Sequence, residues 1–220
     1  MKCREISSDG DVTVRITQCG HIDTNVGFIE NRARGEALLI DAPFGAFDAS
    51  VRILSAGVKP VAVLFTHCHW DHIGDAHIFR KLGAKMYAHR LDRPWIEHPQ
   101  MMALVSGIDE QFVPCAIDVD VDDGDVLDIN GWLRIMCRWC PGHAAGDLIF
   151  HMENLRCVFT GDTLFRGCIG RTDLPGGDEK LLISGIRDKI FRLPDDTIVI
   201  PGHGGTTTVC GEKIGNESLM

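Results

Sequence analysis

The chain has 220 residues, 45% of them hydrophobic and 24% charged, with a formal net charge of −9. That length suits one domain with its own core over residues 1–220, and the acidic balance argues against a nucleic-acid surface, which needs a basic face. No apolar run approaches a membrane span, and Met1 to Gly10 lacks the apolar segment of a signal peptide. Nine cysteines at irregular spacing read as free thiols in a reducing compartment, so a cytoplasmic location is expected.

In chain order, Val12–Thr17 alternates and predicts a strand. Asn25–Ile29 and Glu36–Ile40 predict two more, joined by the turn Asn31–Gly35 and ending in Asp41-Ala-Pro43. Phe47–Gly57 reads as a helix stopped by glycine. Val61–Phe65 is a short apolar run with the look of a buried strand. Asp75–Leu82 suits a helix and Lys85–Ala88 a strand. From Arg90 to Val113, interrupted by Pro94, Pro99 and Gly107, a short helix and a loop bordering the active site are expected.

Asp118–Gly124 is acidic. A solvated turn is favoured over a calcium loop, because the glycine and distal glutamate positions of an EF-hand are missing. Strands follow at Asp125–Asp128 and Trp132–Trp139. Asp147–Met152 and Arg156–Thr160 form a predicted hairpin around Glu153-Asn154. Asp178–Phe191 has helical spacing, and Thr197–Ile200 is the last predicted strand. Strands in both halves with helices between them argue for sheets covered by helices, an α+β chain.

Thr66 to Gly74 reads T-H-C-H-W-D-H-I-G and sits between the predicted strand and helix. His67 and His69 are two apart, so on extended backbone both rings point the same way and could share one metal. Asp71 and His72 follow where the loop turns into a helix and could serve a second subsite. Clustered imidazole and carboxylate suit zinc first, with iron or manganese as alternatives. Cys68 should point away from both neighbouring histidines.

Three further segments share one format, an apolar strand and then a polar residue beside glycine: Cys140-Pro-Gly-His143, Phe159-Thr-Gly-Asp162 and Ile200-Pro-Gly-His203. Glycine there lets the backbone turn sharply. With the 67–72 cluster they supply five histidines and two aspartates, an inventory for two metals. Cys137-Arg-Trp-Cys140 is a lone C-x-x-C. On a strand its two thiols face opposite ways, which disfavours a redox pair.

In this order, T-H-C-H-W-D-H, P-G-His143, T-G-Asp162 and P-G-His203 resemble the signature of the metallo-β-lactamase superfamily, over nearly the whole chain. The resemblance implies a four-layer αβ/βα sandwich, with two divalent metal ions. By motif it assigns His67, His69 and His143 to one metal and Asp71, His72 and His203 to the other. Asp162 bridges them, and Asp41 supports the histidine loop from behind.

Asp162 stands where the best-known β-lactamase subclass carries cysteine, and no export signal is visible. Phe159 to Asp178 is instead similar to the glyoxalase II branch, most of all to short bacterial hydroxyacylglutathione hydrolase-like proteins. Those lack a C-terminal helical domain, and the same is expected here. The tail Glu212–Leu219 resembles theirs, with Glu217 in place of their usual proline.

The likeness implies hydrolysis of a small thioester such as S-lactoylglutathione by a water activated at the metals. Asp71 would orient that water, and Arg171 would receive glutathione carboxylates. A small-molecule thioester, a glutathione conjugate among the candidates, is the expected partner, with neither nucleic acid nor membrane. The rival is a persulfide dioxygenase-like enzyme with one iron on His67, His143 and Asp162. Ile169 between Cys168 and Gly170, and the form Pro-Gly-His-Gly204, favour the hydrolase. A nuclease of the same fold is disfavoured by the acidic charge.

Overall fold

Apolar alternation and runs of β-branched residues form the strands of two mixed sheets. The structure is a computed structural model that describes residues 3–101, 104, 107 and 111–220. The chain forms two compact units, one up to Asp120 and one from Val121 to Met220.

The first unit holds a seven-stranded sheet in sequence order: β1 (Arg4–Asp9), β2 (Val12–Cys19), β3 (Thr24–Asn31), β4 (Glu36–Ile40), β5 (Lys59–Leu64), β6 (Lys85–Ala88) and β7 (Val119–Asp120). The first four strands pair antiparallel and the last four parallel. All eight residues of β3 are buried, as a central strand requires. Its helices are α1 (Ala46–Ile53), α2 (Trp70–Ile73), α3 (Ala76–Lys81) and α4 (Arg93–Glu97). Phe28, Phe65 and Phe79 are fully buried and anchor an apolar cluster with Leu39, Val63, Met86 and Ile96. Each such ring contributes roughly 1.5–3 kcal/mol by leaving water.

Most predicted elements form, with shifted ends. The helix expected over Phe47–Gly57 stops at Ile53, because Leu54 is already extended, and Gly57 serves the following turn at φ 85°. The short helix expected after Arg90 is α4. The loop expected beyond it falls partly on positions 102, 103, 105, 106 and 108–110, which lie outside the described residues. Strand β1 had no sequence signal. Its residues Arg-Glu-Ile-Ser-Ser-Asp do not alternate, and pairing with β2 at the sheet edge forms it.

The second unit holds a six-stranded sheet ordered β13-β12-β11-β10-β9-β8. Its strands are β8 (Val126–Ile129), β9 (Leu133–Trp139), β10 (Leu148–Met152), β11 (Cys157–Gly161), β12 (Ile198–Pro201) and β13 (Thr207–Thr208). Only β11 and β12 pair parallel. The helices are α5 (Glu179–Gly185), which runs on through one π-turn at Ile186–Ile190, and α6 (Val209–Gly215). Leu182, Ile186 and Ile190 pack on Ile149, Val158 and Val199, which accounts for the helical spacing read over 178–191.

The acidic stretch 118–124 is engaged by cations. Asp118 pairs with Arg80, Asp120 with Arg93, and Asp123 with Lys189. The C-x-x-C thiols are both free and buried. Cys140 sits in the apolar cluster with Leu182, and burial pushes both thiols up to about 12, the opposite of a redox-active pair.

Candidate metal centre

In the first unit, β4 and β5 are parallel neighbours, with Ile40 opposite Leu64. Parallel partners in register end on the same side of a sheet, about 4.8 Å apart. Asp41 and the segment starting at Phe65 therefore leave the sheet together, and the Asp41 amide donates to the Leu64 carbonyl at 2.9 Å. Asp41 is 1% exposed, with φ at +61°, a left-handed backbone that aspartate tolerates better than most residues.

That backbone turns the Asp41 carboxylate under the histidine loop. Oδ1 accepts the Thr66 amide at 2.8 Å, and Oδ2 accepts the Thr66 hydroxyl at 2.8 Å. Oδ2 also lies 2.9 Å from Nδ1 of His72, so Nε2 is the atom His72 turns the other way. The Thr66 hydroxyl lies 3.2 Å from Nδ1 of His67. One carboxylate thus orients two of the expected ligands, directly or through Thr66.

The four side chains of the loop gather as expected. The rings of His67 and His69 are 4.6 Å apart, and those of His67 and His72 are 4.1 Å apart. Ligand atoms of His67 and His69, of His67 and His72, and of Asp71 and His72 lie within 4.8 Å of one another. His69, Asp71 and His72 are 6%, 7% and 0% exposed. Cys68 turns into the apolar cluster of Phe65, Ile96 and Cys115, and burial drives its thiol well above the usual range.

The second unit repeats the logic. Gly161 and Pro201 are partners at the ends of parallel β11 and β12, so Asp162 and His203 emerge side by side. Oδ2 of Asp162 lies 3.5 Å from Nε2 of His203 and 3.6 Å from Nε2 of His143. These spacings are long for charge-assisted hydrogen bonds but suit three donors around shared ions.

His143 is fixed from behind. Its Nδ1 faces the Arg171 carbonyl at 2.9 Å, which leaves Nε2 towards Asp162. The backbone turns at Gly142 with φ +140°, where a Cβ would stand 2.6 Å from Leu182. Asp147 accepts the amides of His143 and Ala144 at 2.9 and 2.6 Å.

Arg171 presents two different parts to its surroundings. Its guanidinium is exposed and grips Asp173 through two bonds of 2.7 Å. The part of Arg171 that touches the candidate ligands is its carbonyl.

Asp147 went unseen, as did two supports of the histidine loop. Thr24 donates to Oδ2 of Asp71 at 3.3 Å, and Asp92 accepts the Cys68 amide at 2.8 Å. Thr24 and Asp92 lie 47 and 24 positions from their partners, so no local pattern marks them. Asp147 is four residues from His143 and carries a signal only once the loop is known to fold back.

Residues 20–203 match the metallo-beta-lactamase superfamily. The chain belongs to that family. It is 34% identical over 193 residues to hydroxyacylglutathione hydrolase GloC of Haemophilus influenzae, covering 83% of this chain and 87% of the relative. Among solved structures it resembles BLEG-1, a B3 metallo-beta-lactamase, with a TM-score of 0.86 and 32% identity over 94% of this chain and 99% of that one. It also resembles TTHA1623 in a di-iron-bound form, with a TM-score of 0.79 and 31% identity over 92% and 98% of the two chains.

The fold is accordingly the superfamily's α+β fold, two mixed sheets with few helices. The superfamily binds a dinuclear metal site, and the histidine and aspartate groups here fit a metal site. The chain is an enzyme of the metallo-hydrolase kind. No helix among the described residues is long and apolar enough to cross a membrane.

Proposed function

We propose that this protein hydrolyses small thioesters, S-lactoylglutathione among them, at a centre of two divalent metal ions, zinc first. The observation that carries the reading is Asp162, whose Oδ2 stands 3.5–3.6 Å from two histidine Nε2 atoms in a carboxylate–imidazole set. The likeness to GloC supports the thioester.

In this reading His67, His69 and His143 hold one ion, Asp71, His72 and His203 hold the other, and Asp162 serves both. Ligand atoms gathered within the first unit support the assignment there, His67 with His69 and Asp71 with His72, each within 4.8 Å. Bound ions of this kind lower the pKa of water towards neutrality and polarise a carbonyl oxygen.

The chain's own residues do the rest. Asp71 orients the attacking water and takes its proton, its Oδ2 held by Thr24 at 3.3 Å and lying 3.2 Å from Nε2 of His72. Asp41 and the Arg171 carbonyl keep the ligand rings from rotating. A thiolate leaves readily, so no strong general acid is needed. The Arg171 guanidinium competes between Asp173, which takes its Nε and Nη2, and a substrate carboxylate. The free thiols fit a reducing compartment, and the proposal places the enzyme in the cytoplasm.

The test is release of free thiol from S-lactoylglutathione by the purified protein, lost in His69→Ala and Asp162→Ala. One iron per chain, with oxygen consumed on glutathione persulfide, would replace this reading by the dioxygenase one. The likeness to BLEG-1 favours a second reading, opening of a β-lactam ring by the same activated water. Turnover of a chromogenic cephalosporin without thioester turnover would decide for it.

A further inference from the structure

We infer that Glu212 and Asn216, at the C-terminal helix, are positioning residues for His143 and Asp162, acting through the loop from Thr163 to Arg171. The inference rests on reading those two as metal ligands.

Helix α6 is short, yet Glu212 within it is only 4% exposed, and Asn216 just beyond it 1%. A buried carboxylate is costly unless its oxygens are bonded. Oε2 of Glu212 accepts the Gly167 amide at 2.9 Å and the Asn216 side-chain amide at 2.7 Å. Oε1 accepts the Thr207 hydroxyl at 2.7 Å. All three donors are neutral. The Asn216 amide also donates to the Cys168 carbonyl at 3.2 Å. The tail thus grips two consecutive residues of the loop, one by its N–H and one by its C=O.

The loop carries that grip to the candidate ligands. It is closed on itself by the Phe165 amide on the Cys168 carbonyl at 2.9 Å, and by a bridge between Leu164 and Ile169. Its far end lies directly on the ligands. A Cβ on Gly170 would stand 1.9 Å from the Asp162 carbonyl oxygen and 3.2 Å from Cβ of His143. The next residue, Arg171, offers its carbonyl to Nδ1 of His143 at 2.9 Å. Residues 166–168 are exposed, so without the tail little else restrains the middle of the loop.

Glu217 does not disturb this arrangement. Asn216 has extended backbone, φ −85° and ψ 104°, the region a residue before proline would also occupy. Its Oδ1 accepts the Ser218 amide at 3.1 Å.

The experiment loads the full chain with zinc alone and follows its loss to a competing chelator, with the melting temperature as a control for folding. Glu212→Ala and Asn216→Ala are expected to weaken zinc retention about tenfold, the lower end for supports behind ligands. Glu212→Gln keeps an acceptor for Gly167 and is expected to retain most of it. Lys213→Ala, on the same helix but paired with Asp195 at the surface, should hold zinc as the parent does. Both alanine variants melting lower but retaining zinc like the parent would overturn the inference and leave the tail a purely structural element. If Glu212→Ala does not fold, Asn216→Ala decides alone. A parent chain that binds no zinc sinks both this inference and the metal-centre reading. Zinc binding without thioester turnover sinks only the proposed activity.

Discussion

Oδ2 of Asp41 lies 2.9 Å from Nδ1 of His72, and the same carboxylate accepts both the amide and the hydroxyl of Thr66. This one buried side chain and Thr66 tie down the start of the histidine loop, with Asp92 bonded to the Cys68 amide just after it. The left-handed backbone of Asp41 at φ +61° is what lets it reach back beneath its parallel neighbour strand.

Asp41→Asn keeps the left-handed backbone, which asparagine tolerates, but replaces one accepting oxygen by a donor. Metal affinity should fall about 10- to 100-fold with the fold intact. Asp41→Ala also strains the backbone and should cost thermal stability as well. A zinc titration beside a melting curve separates the two. Unchanged zinc affinity in Asp41→Asn would show that His72 needs no partner.

Gly170→Ala should disturb Asp162 and His143, the candidate ligands beside it in the second unit. Its Cβ would enter the Asp162 carbonyl at 1.9 Å, and a backbone atom cannot step aside as a flexible side chain can. A cost of about 1–3 kcal/mol or more is expected, with reduced metal content in whatever protein folds. A variant that melts with the parent and binds the same metal would mean the loop relaxes freely.

The candidate ligands are legible because each motif joins a strand end to a polar residue, three of them with glycine directly before it. The strand-end signal is local, and the sheets then bring adjacent ends together. What was not legible depends on partners far along the chain. Thr24 and Asp92 carry no local mark, and β1 exists only because β2 pairs with it. The family resemblance offers the Arg171 guanidinium as a carboxylate receptor, and the sequence does not show that Asp173, two residues on, bonds it. The apolar periodicity of 178–191 marked the buried face of α5, yet the same spacing serves an α-turn and the π-turn at Ile186–Ile190.

The Arg171–Asp173 pair gives a prediction about substrate affinity. Arg171 holds the Asp173 carboxyl down at about 2. A depressed carboxyl keeps its partner above the ordinary value near 3.8 and loses it only as pH falls through the lower one. Asp173 therefore stays ionised beside Arg171 across the neutral range. Asp173→Ala frees the guanidinium, and KM for S-lactoylglutathione should fall several-fold with kcat little changed. If neither Asp173→Ala nor Arg171→Ala moves KM, only the Arg171 carbonyl matters.

The buried thiols set an alkaline limit. Burial pushes Cys19, Cys137, Cys140 and Cys157 up to about 12 and Cys115 to about 11. In the unfolded chain these thiols ionise near the ordinary value of 9.0. Between those values the folded state holds protons that the unfolded state has released, so stability falls as pH rises. It is fully present below about pH 9 and drains away towards about 12. The melting temperature should decline steeply above pH 9, and Cys157→Ala, which removes one such group, should flatten that slope while lowering the midpoint at neutral pH through the small cavity it leaves. At pH 8 a thiol reagent should label the exposed Cys3 and Cys168 first, then the half-buried Cys210. The other six should react only on unfolding, whereas fast labelling of Cys137 or Cys140 in the native protein would contradict the burial that sets the whole profile.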